Sequence, residues 1–380
     1  MKFYYVVNAR MPNEKAHGIQ IAKMCEAFVK EGVELELIVP NRKTTPENIQ
    51  EFYGLRVPVP VKKLPVIDFY NGGPVAFFLS SITFMVSYFF YLLWQRARGK
   101  RGIIYTIDMD IFSFALVPFL GMPYFTEMHG AKKRSLPYNL FFSGISGIIS
   151  TNSITGDELK TTFNIPTGVI VVEPNGIDLK QFSVNILKHD ARKRLNLPQD
   201  EKIVLYVGRA YRWKGLEILT ETAKLMEKDT EIYFLGSGKD ELEKIIGESI
   251  NGLIHAVGGR PQNEIPIWLR AADAVLAIGT KKNNDSYLYT SPMKIFEYLA
   301  SGSPIIASNT PAIREILSEK EAIFYAPDNA QDLADKILYT MEHPSIGNEL
   351  AKHGRERAEL FSWENRARRI ISFINLQTAK

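Results

Sequence analysis

The segment SPMKIFEYLASGSPIIASNTPAIREIL, residues 291–317, decides how the chain is read. Met293, Ile295, Phe296, Tyr298 and Leu299 give a helix its apolar side, Gly302 stops it, and Pro304 to Ala307 is a short apolar run of buried-strand type. Helix, turn and strand in that order are one step of a parallel α/β sheet. Ser291 is the expected N-cap and Pro292 the first helical residue. Lys294 and Glu297, three apart, point the same way near the helix N-terminus, where free N–H groups and the dipole attract an anion. By themselves they read as a surface ion pair or as a ligand site.

Working outward, the same alternation fills both halves of the chain. Phe3 to Val7, Gly18 to Val29 and Val33 to Val39 read as strand, helix, strand, with a long loop from Asn8 to Gly18 holding Arg10, Lys15 and His17. Ile103 to Thr106, Tyr124 to Glu127, Gly147 to Ser150 and Val169 to Val172 are further strands. The pattern restarts with Ile203 to Val207, Ile232 to Leu235, Leu253 to Val257, Ala274 to Ala277, Pro304 to Ala307 and Ala322 to Tyr325. The charged stretch Leu179 to Gln199 reads as a connection, and Ser362 as the N-cap of a last helix.

A length of 380 residues exceeds what one hydrophobic core usually holds, so two domains are expected. A composition of 46% hydrophobic and 23% charged residues fits a globular protein rather than a disordered one. The single cysteine, Cys25, excludes an internal disulfide and a cysteine-rich metal site, which suits a reducing compartment and predicts a cytoplasmic location. Met1-Lys2 leads straight into a strand-like run, so no leader peptide is expected. The net charge of +4 is small, and its excess of lysine and arginine falls within residues 1–180.

Pro74 to Trp94 carries no charge and is about the ~20 residues that a membrane span needs. A single crossing there would put strands of one sheet on opposite sides of a bilayer, so a span is rejected. Phe78, Ile82, Met85, Phe89 and Leu92 share one face of the wheel, opposite Ser80, Thr83, Ser87, Tyr91 and Trp94. The segment is either a helix packed on the sheet or one lying in a membrane interface. Lys62, Lys63, Arg96, Arg98, Lys100, Arg101 and, later, Lys132, Lys133 and Arg134 would attract anionic lipid. No nucleic-acid-binding motif accompanies these basic residues, so nucleic acid is not an expected partner.

Several short motifs follow strand ends, where open parallel sheets bind ligands. Gly208-Arg209 follows the first strand of the second half, and Lys214-Gly215 opens the next helix. Two fixed cations beside a helix N-terminus suit a diphosphate, and serve equally as capping and salt-bridging groups. Glu127-Met128-His129-Gly130 places a histidine directly after a strand, either structural or catalytic. Gly236-Ser237-Gly238 is a tight turn; as a lone G-x-G it is weak evidence for a nucleotide. Pro174-Asn175-Gly176-Ile177-Asp178 is a turn signature. The absence of G-x-x-x-x-G-K-[ST], H-E-x-x-H and G-x-S-x-G disfavours P-loop enzymes and common hydrolases, and no Asp-x-Asp pair is placed to bind a metal.

In order and spacing, Pro174 to Asp178, Gly208-Arg209, Lys214-Gly215, the 291–317 segment and Phe361-Ser362-Trp363-Glu364 resemble the retaining glycosyltransferases of the GT-B fold, group 1 (family 4). The resemblance covers essentially the whole chain. It implies an α/β fold of two doubly wound Rossmann-like domains facing a cleft: residues 1–180 on the acceptor side, 181–358 binding the nucleotide sugar, and 359–380 as a helix returning to the first domain. It implies a metal-independent, cofactor-free transfer of a hexose from a UDP- or GDP-sugar to a glycan or lipid-linked acceptor, at the inner face of the cell membrane.

By the same resemblance Arg209 and Lys214 hold the donor diphosphate as it leaves, and His129 touches the donor sugar near the reacting carbon. Glu297 accepts hydrogen bonds from the ribose, Gly18 lies near the phosphates, and Arg260-Pro261 line the base. Gly208, Tyr289, Ser291 and Lys294 complete the donor-binding set. The family often has a glutamate eight residues before Glu297, where this chain has Tyr289; a subset with the S-P-x-K-x-x-E-Y wording also lacks it. A sugar-nucleotide-binding or scaffolding subunit, and a nucleotide-sugar 2-epimerase, are the alternatives on the same fold.

Overall fold

The computed structural model describes residues 1–42, 48–68, 72–227, 229–250 and 252–379. It divides into two units, Met1–Pro174 with Trp363–Lys380, and Asn175–Ser362.

The first unit is built on the parallel strands β1 (Lys2–Val6), β2 (Glu34–Pro40), β3 (Val61–Leu64), β4 (Ile103–Ile107), β5 (Tyr124–Met128), β6 (Gly147–Ser150) and β7 (Ile170–Val172), in the order β3-β2-β1-β4-β5-β6-β7. The order reverses between β1 and β4. Alternation along β1 splits the core between the two faces. Tyr4 and Val6 pack with Ile38, Phe84, Tyr88, Leu92 and Ile104. Phe3 and Tyr5 join Phe28 and Tyr105 in an aromatic cluster on the opposite face. The edge strand β3 has no counterpart in the sequence reading. Its four residues Val-Lys-Lys-Leu bury only Leu64, and an edge strand with outward lysines carries no alternating apolar signal.

The helix Pro74–Ala97 packs on this sheet, but with a face different from the one its periodicity suggests. Its buried residues are Ser80, Ser81, Phe84, Tyr88, Leu92 and Gln95. The polar members are held by hydrogen bonds that hydropathy does not register. Tyr88 donates to the Ser113 carbonyl at 2.5 Å and Asn8 Nδ2 to Ser81 Oγ at 2.9 Å.

The last helix, Trp363–Thr378, belongs to the first unit, as the resemblance implies. Phe373 meets Phe125 edge-on, and a Cβ on Gly147 would stand 2.7 Å from the Phe125 ring and 2.8 Å from that of Phe373, so only glycine lets the helix seat there. The turn 174–178 and the segment before this helix meet directly. Ile177 N–H donates to the Phe361 carbonyl at 2.9 Å, and Ile177 and Ser362 form an isolated parallel bridge.

The second unit holds β8 (Lys202–Val207), β9 (Thr230–Leu235), β10 (Ile254–Gly258), β11 (Ala274–Ala277), β12 (Ile305–Ser308) and β13 (Ala322–Tyr325), all parallel, in the order β10-β9-β8-β11-β12-β13. The order reverses between β8 and β11, so the chain ends of β8 and β11 form the crevice where doubly wound sheets take ligands. The stretch read as a connection instead carries two helices, Leu179–Phe182 and Lys188–Leu195. In the second, Arg192 is buried and paired with Asp273 at 2.6 Å, so a charged-looking run is tied into the fold.

Candidate active site

The decisive helix spans Met293–Ser301 and ends at Gly302 with φ +71°, a left-handed conformation that glycine adopts without strain. Pro292, not Ser291, is the residue before its first turn, and no side chain caps it. Ser291 is occupied elsewhere: its carbonyl accepts from Asn175 Nδ2 at 2.7 Å, tying the 174–178 turn to this helix. Tyr298, fully buried, accepts a hydrogen bond from Val207 N–H at 3.0 Å. That bond fixes the helix against the end of β8, one residue before Gly208.

Two glycines let the strand ends close up. Gly208 and Gly236 have φ +140° and +123°. A Cβ on Gly236 would lie 2.6 Å from the carbonyl carbon and oxygen of Gly208. Gly236→Ala should therefore push the Gly208-Arg209 turn out of place and cost about 2 kcal/mol or more. A thermal melt of that variant checks it, and an unchanged midpoint would refute it.

Around the end of β8 stand three cations. Arg209 is exposed. Lys214, in the short turn Arg212–Lys214, donates from Nζ to the Arg209 carbonyl at 2.8 Å. Burial lowers its pKa to about 8. The Lys294 ammonium lies 3.7 Å from the centroid of the Tyr206 ring and has no hydrogen-bond partner among the described residues. Burial pushes its pKa well below the usual lysine range; the like charge of Lys214 adds to this and Glu297 opposes it. Lys294 and Glu297 are thus not a surface pair. Glu297 is nearly buried and accepts from Gln262 Nε2 at 3.2 Å. Burial raises its pKa to about 7, against the effects of Gln262 and Lys294.

A buried ammonium without an anion is costly unless something charged arrives. Two lysines close enough to repel, an exposed arginine beside them, and a carboxyl that titrates near neutrality make a site ready for a polyanion bearing hydroxyl groups. Arg260 and Pro261 follow β10 and are exposed, next to Gln262. Tyr289 closes a wide helical turn, Asp285–Tyr289, just ahead of Ser291. Sequence reasoning missed Tyr206 and Gln262. Tyr206 reads only as a core strand residue, and Gln262 sits in an exposed turn.

His129 and Gly18 lie in the first unit. His129 Nε2 is 3.0 Å from Oε1 of Glu127, a fully buried carboxylate. Glu127 also accepts from Gln20 Nε2 at 2.5 Å, Tyr105 at 3.0 Å, and Arg366 Nη2 at 2.8 Å. Burial would raise the Glu127 pKa, but Arg366 and His129 outweigh it and bring it to about 2. An ionised Glu127 only accepts, so His129 carries its proton on Nε2 and leaves Nδ1 as the acceptor when neutral. A Cβ on Gly18 would stand 2.5 Å from the Tyr53 hydroxyl and 2.7 Å from Asn13, so the start of the helix Ala16–Lys30 has room only for glycine. His17 beside it has its pKa lowered by burial, by Lys15 and by His129. Among the described residues no group of three His, Cys, Asp or Glu side chains is placed to hold a metal.

The end of β8, with its three cations and buried carboxyl, lies inside a segment that matches a known family over residues 188–359. That family is the glycosyl transferases group 1. Over 258 residues the chain is 27% identical to N,N'-diacetylbacillosaminyl-diphospho-undecaprenol alpha-1,3-N-acetylgalactosaminyltransferase of Campylobacter jejuni, covering 65% of this chain and 66% of that protein. The chain spans little more than half the length of other curated relatives it matches.

Two solved structures resemble the chain along its length. Sucrose-phosphate synthase from Thermosynechococcus elongatus gives a TM-score of 0.77 at 20% identity, covering 100% of both chains. HepE from Anabaena, solved in complex with UDP-glucose, gives 0.74 at 15% identity, covering 99% of both. The fold is GT-B, as the sequence resemblance implies.

Proposed function

We propose that the chain is a retaining glycosyltransferase that moves a hexose from a UDP- or GDP-sugar to a glycan or lipid-linked acceptor. The observation that carries this reading is the buried ammonium of Lys294, which has no hydrogen-bond partner among the described residues, beside Lys214 at the switch point of the second sheet. A sugar diphosphate supplies both the anion these groups lack and the hydroxyls that suit Glu297. The group 1 family match and the fold shared with HepE, which was solved with UDP-glucose, support the choice of donor. The diphospho-undecaprenol acceptor in the name of the Campylobacter relative supports a lipid-linked acceptor.

In this reading the bond between the anomeric carbon and the diphosphate oxygen breaks, and the electron pair leaves with the diphosphate. Arg209 and Lys214 face the charge that develops there, so they stabilise the transition state more than the ground state. The acceptor oxygen bonds to the anomeric carbon on the face the diphosphate left, and its proton passes to the departing phosphate. Glu297 orients the ribose, Gly208 lets the backbone approach the phosphates, and Arg260-Pro261 flank the base. Ser291 holds the 174–178 turn through Asn175, and Tyr289 and His129 are assigned to the donor sugar, Gly18 to the phosphates. Charge stabilisation comes from these side chains, so the reading calls for no cofactor and no metal.

A thermal-shift panel with UDP, GDP, ADP and their sugars tests the reading, because a ligand of the folded state raises its stability with concentration. A rise with one nucleotide and its sugar is expected, and no rise with any of them would overturn it. The donor should also bind within a narrow pH range. Glu297 accepts hydrogen bonds fully only above about 7, and Lys214 is charged in the free protein only below about 8. The kcat/KM for donor is therefore expected to rise through the first value and fall through the second. In Glu297→Gln the acidic limb should vanish; a limb that persists would move it to another group.

A further inference from the structure

The helix Pro74–Ala97 is more apolar on its solvent side than on its protein side, the reverse of an ordinary surface helix. Inward it turns Ser80, Ser81, Tyr88 and Gln95, all hydrogen-bonded. Arg42 Nη2 donates to Ser80 Oγ at 3.1 Å, Asn8 to Ser81 at 2.9 Å, Tyr88 to the Ser113 carbonyl at 2.5 Å, and Gln95 Nε2 to the Tyr91 hydroxyl at 2.6 Å. Outward it presents Val75, Leu79, Val86, Phe90 and Trp94, exposed to 73%, 45%, 40%, 64% and 51%. Their spacings of four and seven keep them on one stripe. Ile67, exposed and held by its N–H to Thr83 Oγ1 at 3.2 Å, widens it on one flank. Phe112, whose ring stands 4.2 Å from that of Phe78, adds further exposed apolar surface next to the helix.

Basic side chains border the stripe. Arg98 lies over the Trp94 ring at 4.4 Å and Lys62 over the Tyr91 ring at 5.6 Å, while Lys63, Lys100 and Arg101 are exposed nearby. Among the described residues the acidic groups at this helix are fewer: exposed Asp68, Asp110, which faces Tyr88, and Glu36, which accepts from Tyr91 at 2.7 Å. By length and composition the helix would also serve as a membrane span. Its hydrogen bonds to the ends of β1 and β2 and to the helix Ile111–Phe114 tie it to the sheet instead.

We propose that this face docks on an anionic bilayer, with the helix lying along the surface, its apolar stripe among the acyl chains and its basic border at the headgroups. An aromatic–cation pair such as Trp94–Arg98 suits that boundary, where one end is apolar and the other wet. A second copy of the chain fits less well. A two-fold contact through this stripe brings like-charged borders together, and among the described residues no acidic patch beside the stripe answers them. The proposal is independent of the glycosyl-transfer reading, so either can fail alone.

The test is flotation of the full chain with vesicles of phosphatidylcholine alone and of phosphatidylcholine with phosphatidylglycerol. Binding to the anionic vesicles that weakens as salt rises is expected. Val86→Asp with Phe90→Asp should lower it by about tenfold or more. Lys62→Gln and Arg98→Gln should each lower it by about fivefold. Bromine-labelled lipid should quench tryptophan fluorescence, and Trp94→Phe should remove most of that quenching. These side chains are exposed, so melting curves of the variants should match the parent and separate lost docking from lost folding. No binding to anionic vesicles at low salt, or binding undiminished by the paired aspartates, would overturn the proposal. So would a dimer seen in sedimentation that the aspartates dissolve in a chain that ignores vesicles, which would give the face to a second copy.

Discussion

Arg366→Met is expected to destabilise the first unit by about 3–5 kcal/mol, because it leaves a fully buried carboxylate without its counter-charge. For a unit of this size that is on the order of 10 °C in melting midpoint. Arg366 does more than pair with Glu127. Its Nε donates to the Pro174 carbonyl at 2.7 Å and its Nη2 to the Glu173 carbonyl at 3.1 Å. Neighbouring Arg369 meets the Glu173 carboxylate at 2.8 Å, so the last helix is fixed to the end of the unit by two arginines.

The pH dependence has a definite sign. In the parent, Glu127 has a pKa near 2, below the usual 4.5, so its contribution is fully present above about 4.5 and fades as pH falls toward 2. In Arg366→Met the guanidinium no longer offsets burial and only His129 still opposes it, so the carboxyl pKa rises and the variant's deficit should shrink in acid. Adding Glu127→Leu should recover much of the loss at neutral pH, since an apolar pair leaves no charge stranded. Denaturant melts of the four members of that cycle check this; additive single losses would show that the two groups do not act together.

Arg209→Ala is expected to lower turnover about 100-fold or more while leaving the melting curve in place. The side chain is exposed and the Lys214 hydrogen bond runs to the Arg209 carbonyl, which the substitution keeps. Arg209→Lys should retain part of the rate, since it keeps the charge but loses the planar fork. Near-parental turnover in Arg209→Ala, measured at saturating donor, would count decisively against a role in stabilising the leaving diphosphate.

The candidate site was legible in the sequence to the extent that backbone placement fixes it. Gly208-Arg209 follows a recognisable strand and Lys294 and Glu297 lie on a recognisable helix, while Lys214-Gly215, expected to open a helix, instead ends the short turn Arg212–Lys214 ahead of the helix Ile218–Ala223; parallel sheets put such positions at one edge. The chemical state of these groups was not legible. Lys294 and Glu297 look like a surface pair by spacing, and only the packing of Tyr206, Tyr298 and Gln262 around them shows one ammonium with no hydrogen-bond partner among the described residues and one carboxyl raised to about 7. Burial and desolvation arise from residues distant in sequence, here Tyr206 and Gln262, which no local window contains.

The opening segment shows the division most plainly. Its helix, its stop at Gly302 and its following strand come from periodicity and one glycine, local properties that the sequence alone determines. So does the alternation that yields two doubly wound sheets, because period and turn chemistry leave few other arrangements. The tertiary structure decided that Ser291 ties down the 174–178 turn instead of capping a helix. It also decided that Glu127 answers to an arginine 239 residues away, and that the helix Pro74–Ala97 turns Ser80, Ser81 and Tyr88 inward and Val75, Val86 and Phe90 outward. Those outcomes depend on which hydrogen-bonding partners the fold brings within reach of a side chain, and hydropathy along the chain does not encode that.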